Sequence, residues 1–249
     1  MEEFLNFKDK TILITGASSG IGYATAILLD SLGANLVLHA SKEKSIKKLK
    51  ILFDPEQHLF FQADFSSPYD IETKFKEIAL GIKFDGYVNC VGMRSRRPIN
   101  LIKPSDTNQI LTTNFTSFIE MVRLITKKKQ FNSGLSIVSI SSISSTVGGS
   151  GVIIYAASKA AVDAAIRCLA KELHKKCIRI NSVISGQINT EAYRELMNSK
   201  TDKIDRVLER QYLGLGESED IANVILFLLS NKSKFITGSS VAVDGGFLS

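Results

Sequence analysis

The chain has 249 residues and a formal charge of +6, with 44% hydrophobic and 22% charged residues. That balance suits a chain with a substantial core and excludes an intrinsically disordered one. The excess lysines cluster at Lys47-Lys48, Lys127 to Lys129 and Lys175-Lys176, near predicted helix ends and without an aromatic-basic stripe, so no nucleic-acid surface is expected.

Cys90, Cys168 and Cys177 lack metal-ligand spacing, no leader pattern precedes the first strand, and no apolar run reaches the ~18 residues of a membrane span. The expectation is a cytoplasmic protein with no metal and no membrane partner.

In chain order, Lys10 to Thr15 (KTILIT) predicts a strand buried on both faces; GASSGIG follows, then the apolar period of a helix over Tyr23 to Leu32. Gly33 stops that helix and Asn35 to Ala40 (NLVLHA) predicts a second strand, which completes a βαβ unit. A lysine-rich helix comes next, then a strand at His58 to Ala63, a helix at Pro68 to Leu80 and a strand at Phe84 to Val88 that ends in Asn89-Cys90-Val91-Gly92.

Residues 106 to 130 predict one long helix holding Asn114, Leu135 to Ile140 a fifth strand, Val152 to Lys175 a helix, and Ile178 to Ile184 a sixth strand. An amphipathic helix at Glu217 to Leu229 and a last strand at Ser240 to Val243 close the pattern. Seven strands alternating with helices predict an α/β protein with a doubly wound parallel seven-stranded sheet of the Rossmann type, as a single domain over 1–249. Within it, the charged segment 187–212 has no sustained apolar stripe and is expected to be a mobile helical lid.

Two patterns carry chemistry. Gly16, Gly20 and Gly22 lie between the first strand and its helix, where backbone N–H groups and the helix dipole can receive a pyrophosphate. Tyr155 and Lys159 stand four residues apart on one helix face, and an ammonium beside a phenol favours the phenolate, as acid/base catalysis requires. Ser142, across a glycine-rich loop, can return to the same place and hydrogen-bond a carbonyl or alkoxide oxygen. Each pattern also has a plainer reading: a tight strand-to-helix turn for the glycines, an ordinary (i, i+4) pair for Tyr155 and Lys159.

TGASSGIG at 15–22, NCVG at 89–92, Asn114, Ser142, Tyr155 and Lys159, and the late segments ESEDIANVILFLLS and ITGSSVAVDGG together resemble the short-chain dehydrogenase/reductase family over nearly the whole chain. The overall pattern is most similar to its 3-oxoacyl-acyl-carrier-protein reductases. The resemblance implies an oxidoreductase that reduces a carbonyl to a secondary alcohol. In it Tyr155 gives the proton, Ser142 steadies the oxygen, Lys159 supports the tyrosine and holds the cofactor ribose, and Asn114 orients a water. Among the neighbouring serines, the family's spacing of thirteen residues before the tyrosine selects Ser142.

For the cofactor, the resemblance implies contacts from Gly16, Ser18, Ser19, Gly20, Ile21 and Gly22 of the turn, from Ser41 and Lys42 after the second strand, and from Asp64 and Phe65 after the third. Asn89, Cys90 and Gly92, Tyr155 and Lys159, and Gly186, Ile188 and Thr190 complete the set. Cys90 stands where the family has a second asparagine, and Ser185 where it has proline. NAD enzymes of the family carry an acidic residue at the position of Ala40; its absence, with Ser41 and Lys42 following, implies NADP(H) rather than NAD(H), although Ser19 replaces the arginine common in NADP reductases.

The implied substrate is a 3-oxoacyl thioester on acyl carrier protein, in fatty acid biosynthesis, with Lys176 at a docking position. A sugar, polyol or small-alcohol substrate is the alternative within the family, and a cofactor-binding regulatory protein is the alternative outside enzymes. Arg94, Arg96 and Arg97 either line the entrance for an anionic carrier or phosphorylated substrate, or form a solvated loop. The family's habit implies a homotetramer, with a dimer as the alternative.

Overall fold

A computed structural model describes residues 5–198 and 208–249. Its strands are β1 Thr11–Thr15, β2 Asn35–Ala40, β3 Leu59–Gln62, β4 Phe84–Asn89, β5 Phe131–Ser142, β6 Arg179–Ser185 and β7 Ser240–Val243. They form one sheet in the order β3-β2-β1-β4-β5-β6-β7, and every pairing is parallel. The helices are α1 Gly20–Ser31, α2 Glu43–Leu52, α3 Pro68–Ile78, α4 Pro104–Leu111, α5 Ser117–Ile125, α6 Ser144–Val147, α7 Ile153–Leu173, α8 Glu191–Asn198 and α9 Ser218–Leu229.

β1 and β2 read as largely apolar runs because both sheet faces are covered there. Alternate residues serve opposite layers. Leu13, Val37, Tyr87, Ile137 and Ile180 pack with Phe118 and Met121 of α5 and Val162 and Ile166 of α7. Ile12, Ile14, Leu36, Leu38, Val88 and Val138 pack with Ala26 and Leu29 of α1 and Ile225 and Leu226 of α9.

The strand order reverses between β1 and β4, so their following loops diverge and leave a crevice beyond the C-terminal strand ends. All seven predicted strands and their order along the chain match this sheet. One prediction differs: the single helix over 106–130 is broken. α4 ends at Leu111, a wide π turn runs through Thr112–Thr116, and α5 ends at Ile125. The extra backbone residue in that turn carries Asn114 into the interior, where its amide pairs with another loop.

Of the predicted lid, α8 and the turn from Leu208 onward belong to the described residues, and 199–207 lie outside them. No described helix is long and apolar enough to cross a membrane.

Candidate active site

The crevice is a cleft of ≈ 1020 Å³. Its floor is the turn between β1 and α1. Gly16 has φ +75°, and a Cβ there would lie 3.0 Å from the Cys90 carbonyl carbon and oxygen; at Gly22 a Cβ would lie 2.3 Å from the Gly16 oxygen. Only residues without side chains let these backbones meet, which leaves a shallow cradle at the start of α1 with its N–H groups facing the cleft.

His39 props this turn from below, and the sequence reading passed over it. Its Nδ1 accepts from the Gly16 N–H at 3.2 Å and its Nε2 lies 2.9 Å from the Ala63 carbonyl. A carbonyl only accepts and an N–H only donates, so the ring is the neutral tautomer protonated at Nε2. Burial drives its pKa from 6.5 down to about 4, against smaller opposing effects of the Ala63 hydrogen bond and the Asp64 charge. The ring stacks on Phe65, centroids 4.2 Å apart.

One end of the cleft is lined by Ala40, Ser41 and Lys42 after β2 and by Asp64 and Phe65 after β3. The Asp64 carboxylate accepts from the Ser66 N–H and hydroxyl at 2.9 and 2.8 Å. Ser18, Ser19, Gly20 and Ile21 line the middle, and Gly186, Ile188 and Thr190 the wall after β6. Thr190 caps α8, accepting from the Tyr193 N–H at 3.2 Å, and its methyl would lie 3.2 Å from a Cβ at Gly20, so this wall closes down on the glycine turn.

At the other end stand Tyr155 and Lys159, on the face of α7 toward the cleft. The Lys159 Nζ is 6.0 Å from the Tyr155 ring centroid and donates to the Ile140 carbonyl at 2.8 Å. Lys159 is 4% exposed and forms no ion pair with a described carboxylate. A buried ammonium has three protons to place and is costly to leave without acceptors, so two of them remain for a ligand and the phenol. Gly92 makes the room: a Cβ there would sit 3.2 Å from the Lys159 Nζ.

Asn114 is close by and makes three hydrogen bonds. Its Oδ1 accepts from the Met93 N–H at 2.6 Å, and its Nδ2 donates to the Met93 carbonyl and to the Ser158 Oγ, each at 2.9 Å. Ser158 in turn donates to the Tyr155 carbonyl at 2.7 Å. The asparagine thus ties the loop after β4 to the helix of Tyr155.

Ser142 ends β5; its Oγ accepts from the Ser144 N–H at 3.2 Å, which leaves its proton free to donate. Ser141 lines the cleft, but its hydroxyl donates to Asp163 at 2.7 Å, and Asp163 also takes the Ser182 hydroxyl at 2.8 Å. That buried carboxylate pins α7 to β5 and β6.

The structure therefore gathers the glycine turn, Ser41, Lys42, Asp64, Phe65, Cys90, Gly92, Tyr155, Lys159, Gly186, Ile188 and Thr190 around one cleft. Asn89 and Asn114 lie behind its surface, and Ser142, 8% exposed at the end of β5, is not among its lining residues. Asn89 is buried, accepting from Thr15 at 3.0 Å and donating to Ser139 at 3.1 Å, so it braces β1, β4 and β5. Burial pushes the Cys90 thiol up to about 12, partly offset by the Lys159 charge, which keeps it protonated and unreactive at neutral pH.

The chain is similar to known proteins over nearly its whole length. A family model described as Enoyl-(Acyl carrier protein) reductase matches residues 16–248. The chain is 32% identical over 246 residues to L-xylulose reductase of Caenorhabditis elegans, covering 97% of each. It is 29% identical over 244 residues to the 3-oxoacyl-(acyl-carrier-protein) reductase of Escherichia coli, covering 97% of this chain and 98% of that one. Among solved structures, a blue fluorescent protein from a metagenomic library in complex with NADPH aligns with a TM-score of 0.89 at 26% identity, over 98% of this chain and 100% of that one. A short-chain type dehydrogenase/reductase from Mycobacterium ulcerans aligns at 0.88 and 25% identity, over 98% and 91%.

Proposed function

The chain belongs to the short-chain dehydrogenase/reductase family, and from that premise we propose that this oxidoreductase reduces a ketone to a secondary alcohol with NADPH, using Tyr155 as the proton donor. The observation that carries the reading is the buried Lys159 ammonium, 6.0 Å from the Tyr155 ring centroid and without a described carboxylate partner. A buried cation placed there stabilises negative charge as it develops on the phenol oxygen.

The glycine cradle and the start of α1 fit the pyrophosphate of a nicotinamide dinucleotide, and Lys159 has protons left for its ribose. When bound, that cofactor supplies the hydride. This chain's residues do the rest. Tyr155 delivers its proton to the substrate oxygen, Lys159 holds the charge left on the phenol, and Ser142 donates its free hydroxyl proton to the same oxygen. Asn114 acts through Met93 and Ser158 by fixing the Tyr155 backbone.

Replacing Tyr155 by Phe should lower kcat by about a hundredfold or more while the NADPH Kd, read by fluorescence titration, stays nearly constant. Wild-type rates in that variant would end the assignment.

NADPH is proposed over NADH because β2 ends in Ala40, with Ser41 and Lys42 beside it in the cleft. A carboxylate at Ala40 would accept from ribose hydroxyls and repel a 2′-phosphate. Ala40→Asp should therefore raise the ratio of kcat/KM with NADH to that with NADPH by about tenfold or more. A wild-type protein with the higher kcat/KM for NADH on the same ketone contradicts this reading.

The relatives divide on substrate, one named for a sugar and one for a carrier-bound 3-oxoacyl group. A 3-oxoacyl thioester remains the proposed substrate and L-xylulose the alternative; steady-state rates with acetoacetyl-CoA and with L-xylulose separate them. We further propose a cytoplasmic homotetramer.

A further inference from the structure

Three arginines follow β4 in the loop over Tyr155, and the structure separates their roles. Arg97 is engaged: its Nη1 meets Asp106 at 3.2 Å, and its N–H donates to the Gly151 carbonyl at 2.8 Å, which fastens the loop to the segment leading into α7. Arg94 and Arg96 instead line the cleft, one exposed and one half-buried, and neither forms an ion pair with a described carboxylate. The Arg94 guanidinium carbon stands 5.8 Å from the Tyr155 ring centroid.

Thr113, in the π turn, lines the same cleft. Its hydroxyl is buried and has no hydrogen-bond partner among the described residues. Arg94 beside the proton donor and Arg96 in the same cleft are two guanidinium groups without a described carboxylate, a donor set in want of an acceptor.

We infer that this end of the cleft is an oxyanion subsite through which the protein also takes a short ketone carrying a carboxylate or a phosphate a few bonds from its carbonyl, a substrate class beyond the thioester and the sugar named above. The inference rests on the proposed reductase reading for the carbonyl itself. Ser41 and Lys42, assigned above to the cofactor, follow β2 on the far side of the glycine turn, so Arg94 and Arg96 are not needed for its phosphates. Glu191 and Glu195 of α8 also line the cleft and make that wall unfavourable for an anion, which leaves the arginine loop as the place where the charge is accommodated. The loop is held by Asn114, Asp106 and Gly151, so the guanidinium groups are presented from a fixed backbone.

Matched ketone pairs test this with NADPH: acetoacetate against ethyl acetoacetate, and dihydroxyacetone phosphate against dihydroxyacetone. The wild-type protein should give the higher kcat/KM for the charged member of at least one pair, and which pair responds distinguishes carboxylate from phosphate. In the Arg94→Gln, Arg96→Gln protein that preference should fall about 10- to 100-fold, with the neutral member changed less than about threefold. Equal rates within both pairs in the wild type, or equal loss on both members in the variant, overturns the subsite.

Failure of the reductase reading shows separately, as absence of turnover on all four compounds. Recognition is then read by calorimetric titration of the NADP⁺-loaded Tyr155→Phe protein. Binding of a charged member that is tighter than its neutral partner, and lost on removing both arginines, supports the subsite. Binding indifferent to charge or to the arginines, or absent, overturns it.

Discussion

His39 shows how a single side chain outside the recognised motifs can brace the glycine turn. Its neutral ring joins the Gly16 N–H to the Ala63 carbonyl, and protonation at Nδ1 would remove the acceptor that Gly16 uses. With a folded-state pKa near 4 against 6.5 in a free ring, the unfolded chain takes up a proton first. The group therefore contributes nothing to the pH dependence above 6.5. Stability is lost as pH falls from 6.5 through about 4, by about 3 kcal/mol in all, and the loss is complete below that. Urea unfolding of wild type and His39→Asn across this window should give a difference curve with that slope; a flat difference contradicts it. Nothing in NLVLHA distinguishes this histidine from a strand residue. Its role depends on β3 delivering Ala63 and Phe65 beside it, and that juxtaposition is not written in local spacing.

Among the elements, strands were legible and helix breaks were not. β1 and β2 are largely apolar runs covered on both faces, so their burial is written directly into composition, whereas β4 and β6 are buried although Asp85, Asn89, Asn181, Ser182 and Ser185 interrupt them. The π turn at Thr112–Thr116 has no local signal, because the register change is stabilised by Met93 and Ser158, which are far from it in sequence. Tyr155 and Lys159 were found because (i, i+4) spacing fixes a shared helix face, whereas the burial of Asn89 behind the cleft depends on Thr15 and Ser139 from flanking strands.

Helix termination offers a test at the same scale. At the end of α9 the Arg179 guanidinium donates to the carbonyls of Leu228, Leu229, Ser230 and Ile236 at 2.9 to 3.4 Å and to the Ser233 hydroxyl at 3.1 Å. A cation there satisfies the orphan carbonyls and opposes the negative end of the dipole; partial removal from water draws the guanidinium pKa below its usual value. Arg179→Met should cost about 2–3 kcal/mol in urea unfolding. Arg179→Lys should recover only part of that, because one ammonium cannot reproduce the fork of donors. Full recovery by lysine would show that charge alone matters.

For the whole molecule, the surfaces left over by the fold bear on assembly. α7 turns Val162 and Ile166 into the core, yet its outer side is also apolar: Ile153 is 53% exposed, and Ala157, Ala164 and Cys168 are exposed with Ala160 and Ala161 half-buried between them. Small side chains allow two such helices to approach closely, and over Ile153 to Ala164 this exposed face carries no charge, the first exposed cations being Arg167 and Lys171. Phe235, ahead of β7, is 99% exposed at a separate place on the chain. Two distinct self-complementary patches produce a tetramer with two-fold symmetry, whereas one alone produces a dimer. In such an interface a residue near the axis faces its own copy, so Ala164→Arg would set two cations against each other while leaving the subunit core untouched. Light scattering at micromolar concentration should report a tetramer for the wild type, dimers for Ala164→Arg and for Phe235→Asp, and monomers for the double variant, each with the wild-type circular dichroism spectrum. A wild-type monomer contradicts the assembly outright. A tetramer that survives both replacements would place the contacts elsewhere and leave the outer face of α7 without a role.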